Sequence, residues 1–69
     1  MPERLANRLK ERRTELGLTQ AELAERVGVT RKTVNTVENG VFVPSTILAL
    51  KLAKALDWPV EDLFSISPE

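Results

Sequence analysis

A chain of 69 residues holds one domain, and that length lies near the lower limit at which a single hydrophobic core suffices. With 42 % hydrophobic and 29 % charged residues it has the make-up of a folded soluble domain and not of a disordered segment. Cysteine and histidine are both absent, which excludes disulfides and the usual zinc ligands, and ten basic against ten acidic residues give no net charge.

Four helix signals follow one another, and no stretch alternates apolar and polar residues as a half-buried strand would. Met1-Pro2-Glu3-Arg4 leads straight into mixed-charge sequence, and no apolar run approaches the ~20 residues that cross a bilayer. The expectation is a cytoplasmic protein with no signal peptide and no membrane partner. A first helix is expected over residues 3–16, with Leu5, Leu9 and Leu16 at spacings of four and seven and Gly17 as a left-handed stop. Thr19-Gln20-Ala21-Glu22 has the spacing of a capping box, and Leu18 and Leu23 stand where a hydrophobic staple would form. The second helix is therefore expected over residues 20–27, ended by Gly28. Val29-Thr30 repeats the device: Thr30 caps a third helix over residues 31–39, and Val29 faces Val34. Ser45, after Pro44, caps a fourth over residues 46–56. That helix is apolar nearly all round except for Lys51 and Lys54, so it is expected at the centre of the core. Asp57-Trp58-Pro59 breaks it, residues 60–64 make one more turn, and residues 65–69 are read as a tail.

The third helix is lopsided. Val34 and Val37 fall on one side, while Arg31, Lys32, Asn35, Thr36 and Asn39 fall on the other, with Glu38 at the edge near the valines. By composition alone that polar face also fits an ordinary solvated helix. Two short helices joined by a tight turn add little stability by themselves, however, so a chain that caps both is presenting them. Arg and Lys as donors, Asn as donor and acceptor, and Thr with its methyl suit base edges and phosphates. The free N–H groups at each short helix's start, where Gln20 and Thr30 stand, suit a phosphate. Charge alone decides nothing: residues 1–40 carry eight Lys and Arg against six acids.

The stretch "LTQAELAERVGVTRKTVNTVENG" resembles the helix-turn-helix of the lambda-repressor-like (Cro or XRE) family of bacterial and phage DNA-binding regulators. Leu18-Thr19-Gln20, Leu23-Ala24, Gly28-Val29, Val34 and Glu38-Asn39-Gly40 stand at the family spacing. The likeness continues through Pro44-Ser45, "LALKLAKAL" and "VEDLF", covering about residues 4–64. It implies an all-α fold, a compact five-helix bundle, in a single domain spanning residues 1–69. It also implies a transcriptional regulator that binds double-stranded DNA by sequence and is associated with the nucleoid when bound. Arg31, Lys32 and Asn35 would reach base edges in the major groove, with Thr36 beside them. Gln20, Thr30 and Asn39 would contact phosphate or brace residues that do. Arg13 and Glu38 take the places of a buried ion pair. Three positions depart from the family pattern: Val41-Phe42-Val43 where Lys or Arg is frequent, Asp57 in place of a Gly, and Pro59 in place of a Ser cap.

Without His, Cys, a glycine-rich phosphate loop or enough chain for a deep pocket, no enzyme, cofactor or metal is expected. A homodimer is expected, since a domain this small without staples gains stability from a partner. Trp58, Phe64, Ile66 and Phe42 are the candidate contacts, the C-terminal group foremost because the 41–43 loop can instead pack under the fourth helix. An alternative within the same family is an antitoxin or a restriction–modification controller, which binds DNA and a partner protein.

Overall fold

The chain runs β1 (Arg4–Asn7), α1 (Leu9–Glu15), α2 (Gln20–Val27), α3 (Arg31–Glu38), α4 (Thr46–Leu56), α5 (Val60–Leu63) and β2 (Phe64–Ser67). The structure is a computed structural model and describes residues 3–67. Five helices agree with the expected bundle. The two-stranded antiparallel sheet does not, and the fold is helical with a small ribbon in place of all-α.

The ribbon pairs Arg4 with Ser67, Leu5 with Ile66, Ala6 with Ser65 and Asn7 with Phe64. The Arg8 N–H donates to the Leu63 carbonyl at 2.8 Å and continues the ladder. These pairings correct two expectations. The first helix begins at Leu9 and not at residue 3, because Asn7 diverts the chain. Its side-chain oxygen accepts the Leu9 N–H at 3.1 Å, and its amide nitrogen donates to the Val37 carbonyl at 3.0 Å. Residues 65–67 of the expected tail are strand, whereas residues 68–69, like residues 1–2, lie outside those described. Phe64-Ser65-Ile66-Ser67 does alternate, but over so few residues that the pattern carries weight only once a pairing strand is known.

Each helix supplies the core: Leu9 from α1, Leu23 from α2, Val34 and Val37 from α3, Leu52 and Leu56 from α4, and Leu63 from α5 are all fully buried. The caps sit where the sequence puts them. Thr19 and Glu22 form a capping box, and Thr30 and Ser45 accept the N–H groups of Thr33 and Leu48. Asp57 ends α4 at φ 57°, a left-handed conformation that a short Asp side chain tolerates. The fourth helix, apolar nearly all round, enters the core as expected through Leu48, Leu52, Ala53 and Leu56, while Ile47 and Leu50 are exposed. The Arg8 and Arg12 guanidinium groups lie over the Trp58 ring, 4.7 and 5.0 Å from its centroid. Arg12 also donates to the Leu56 carbonyl at 2.8 Å, so α1 is tied to the end of α4. Among the described residues no helix is long and apolar enough to cross a membrane.

Candidate nucleic-acid interface

The α2–turn–α3 unit is held by local chemistry at three points. At the start of α2 the Thr19 hydroxyl accepts the Glu22 N–H at 3.0 Å while the Glu22 carboxylate accepts the Thr19 N–H at 2.8 Å. That contact, led by the backbone bond, holds the Glu22 carboxyl below its ordinary value. At the end of α2, Gly28 turns left-handed at φ 75° and the Val29 N–H reaches back to the Ala24 carbonyl at 3.0 Å, closing a Schellman turn. At the start of α3 the Thr30 hydroxyl accepts the Thr33 N–H at 3.2 Å. These bonds angle α3 across α2 and leave one side of α3 in solvent.

Beneath that exposed side lies a buried polar network. Arg13 Nε donates to Glu38 Oε2 at 2.6 Å, and Arg13 Nη2 donates to Glu38 Oε1 at 3.3 Å. The side chains are 9 % and 2 % exposed. Arg13 also donates to the Leu18 carbonyl at 2.8 Å, and Gln20 Nε2 donates to Glu38 Oε1 at 3.0 Å. One carboxylate thereby joins α1, the start of α2 and the end of α3. Asn7, which sequence reasoning missed, adds a second brace on the Val37 carbonyl. Its signal was present, an Asn two residues before a helix start, but the contact spans 30 residues of sequence.

On the outer side, Gln20, Arg31, Lys32 and Asn35 line one shallow hollow of about 320 Å³. Arg31, Lys32 and Asn35 are exposed, and Gln20 is half-buried by its bond to Glu38. Thr30 is exposed at the rim. Thr36 lies one turn further on and differs from its neighbours, since its hydroxyl donates back to the Lys32 and Thr33 carbonyls, each at 3.0 Å. It therefore presents a methyl and an acceptor, with its hydroxyl proton engaged inside the helix. Asn39 donates to the Asn35 carbonyl at 3.0 Å and to Asn35 Oδ1 at 3.3 Å. Asn35 is thus held from one side, with its amide N–H groups left for an outside acceptor. Of the contact candidates, Phe42 and Ile66 are exposed, while Trp58 and Phe64 are half-buried, packed against the core.

A family model described as helix-turn-helix matches residues 9–63. The uncharacterized HTH-type transcriptional regulator YgzD of Bacillus subtilis is 46 % identical over 65 residues, which cover 94 % of this chain and 98 % of the relative. Among solved structures, the restriction-modification controller protein C.AhdI from Aeromonas hydrophila superposes with a TM-score of 0.78 at 46 % identity. That superposition covers 83 % of this chain and 86 % of the other. The P22 c2 repressor in complex with a synthetic operator superposes with a TM-score of 0.76 at 31 % identity, covering 78 % and 82 %.

Proposed function

Because this chain belongs to the helix-turn-helix family of transcriptional regulators, we propose that it binds double-stranded DNA by sequence, with α3 in the major groove, as a small cytoplasmic regulator. The observation that carries this reading is the convergence of Gln20, Arg31, Lys32 and Asn35 on one exposed hollow where α2 and α3 begin. Arg31, Lys32 and Asn35 supply donors for base edges, the two cations also neutralise the phosphates beside them, and Thr36 supplies a methyl. Gln20 and Thr30 stand beside free helix N–H groups that suit a phosphate, and Asn39 braces Asn35. Arg13 and Glu38 hold α3 at its angle from below. One such hollow reads few bases, so two copies work together on a two-fold site.

Selection of bound sequences from a random DNA pool tests the reading. Asn35→Ala should cost ~1–3 kcal/mol on the selected site and relax preference at one base position. Gln20→Ala should weaken all sequences more evenly. Unchanged binding of Asn35→Ala to both selected and scrambled DNA would reject the assignment. The likeness to C.AhdI favours a narrower reading, control of a restriction–modification gene pair. A selected site lying upstream of methyltransferase or nuclease genes supports it, and co-purification of another protein from the native host would instead point to a protein partner.

A further inference from the structure

A second hollow, of about 310 Å³, opens on the outer side of α3 and is lined by Lys32, Thr33, Thr36, Val41 and Phe42. Lys32 also lines the hollow of Gln20, Arg31 and Asn35, so the two adjoin along one face. Their chemistry differs. The Thr36 hydroxyl donates to the Lys32 and Thr33 carbonyls, and the Thr33 hydroxyl pairs with that of Thr30 at 3.0 Å. With those hydroxyls engaged inside the helix, the two threonines offer their methyls to an outside molecule. Val41 and Phe42, 77 % and 47 % exposed, complete the wall. Their N–H groups both donate to the Thr36 carbonyl, at 2.9 and 3.2 Å, which fixes the loop beside the end of α3. The wall is therefore largely apolar and held in place, with Lys32 as its one charged donor.

The geometry points to Phe42 as a specificity-determining residue outside the helix-turn-helix. With Val41, Thr33 and Thr36 it forms a hollow that takes the C5-methyl of a thymine, while Lys32 donates to O4 of the same base. The inference rests on the DNA-binding reading and names one base within it. Of the four bases only thymine carries an apolar group in the major groove, and its O4 acceptor lies beside that methyl. Guanine offers Lys32 acceptors but sets nothing apolar against the wall. Adenine likewise presents only polar atoms, and cytosine turns an amino donor toward the ammonium. The same hollow accounts for a departure from the family pattern. Val41-Phe42-Val43 stands where Lys or Arg is frequent. The loop thereby gives up a phosphate contact, which carries no sequence information, for a base contact, which does. Single exposed apolar residues need no explanation, but these two are pinned against an α3 face that already presents donors for DNA.

Uracil lacks only that methyl, so replacing each thymine of a selected site in turn by uracil tests the hollow. One position in each half-site should lose about fourfold in affinity, as for one buried methyl group, and the other thymines far less. Phe42→Ala, and Thr36→Ser, which keeps the hydroxyl and removes the methyl, should each bring thymine and uracil at that position to within about twofold of one another. Should Phe42→Ala fail to fold, Thr36→Ser alone still decides. A 5-methylcytosine–guanine pair at that position keeps the methyl but replaces O4 with an amino group, and should bind more weakly than thymine–adenine. Tighter binding would assign the hollow to 5-methylcytosine and overturn the proposal. A uracil penalty undiminished in both variants would also overturn it. So would weaker self-association of Phe42→Ala with that penalty intact, which would give the hollow to a second copy. Enrichment of no sequence from the random pool would overturn the DNA-binding reading and this inference together. A selected site that tolerates uracil at every thymine would reject this inference alone.

Discussion

Arg13 and Glu38 show how much of this fold depends on single atoms. Glu38 accepts from Arg13 and Gln20 with almost no exposure to water, and Arg13 spends a further N–H on the Leu18 carbonyl. A buried pair of this kind adds little net stability over apolar side chains of the same volume, because desolvating two charges offsets their attraction. Removing one member is different, since the survivor keeps its desolvation cost and loses its partner. Arg13→Ala or Glu38→Ala should each destabilise the chain by about 3–5 kcal/mol in urea melts. The double replacement should cost far less than the sum. Additive effects below about 1 kcal/mol would mean that the charges are solvated after all. Glu38 was legible in the sequence, because helical geometry sets it at the edge of the valine face. The inward turn of the Thr36 hydroxyl and the brace from Asn7 were not. The first depends on a rotamer, and the second on a fold that brings residues 7 and 37 together.

At the scale of elements, what is local was readable and what is long-range was not. Thr19, Gly28, Thr30 and Ser45 announce helix ends by satisfying groups within a few residues of themselves, and all four stand where expected. The β1–β2 ribbon joins segments some sixty residues apart. Leu5, four before Leu9, imitates a helical stripe until Phe64-Ser65-Ile66-Ser67 is known to lie beside it. Asn7→Ala should therefore act on two elements at once, costing about 0.5–1.5 kcal/mol for each lost hydrogen bond, to the Leu9 N–H and to the Val37 carbonyl, and loosening the ribbon. Faster amide exchange at Arg8 and Leu9, with α4 unaffected, would register that. The capping box also makes a pH prediction. The Thr19 N–H holds the Glu22 carboxyl below its ordinary value, so this contact adds stability above the ordinary carboxylate range, around 4.3. The contribution is lost as pH falls through the lowered folded-state value. Glu22→Gln keeps an acceptor but does not titrate there. It should change stability little at neutral pH and flatten the acid limb of a stability-against-pH curve. An acid limb identical to that of the unaltered chain would show that the box carries no pH dependence.

For the whole molecule the governing fact is a net charge of zero on a body measuring 35 × 21 × 20 Å. Balanced charge was legible from the start and at first argues against nucleic acid, but the fold resolves the conflict by segregation. Arg8 and Arg12 are engaged by Glu11, Glu15 and Trp58, and Arg13 is buried against Glu38. Arg31 and Lys32 are left exposed, lining the hollow where α2 and α3 begin. The remaining contacts proposed there, Gln20, Thr30, Asn35, Thr36 and Asn39, are neutral and displace no counterions. Affinity should accordingly fall with salt less steeply than for a protein that neutralises about six to ten phosphates. Each phosphate neutralised lowers the slope of log K against log salt by about 0.9, so a dimer using Arg31 and Lys32 from both copies should give a slope of roughly −3 to −4. Arg31→Gln should make that slope shallower by about 2 in the dimer, one phosphate being lost from each copy. Titrations of the selected site across a series of salt concentrations measure both values. A slope near about −8 would mean that cations outside the hollow, such as Lys51 and Lys54, also lie on the backbone. That result would set α4 against DNA.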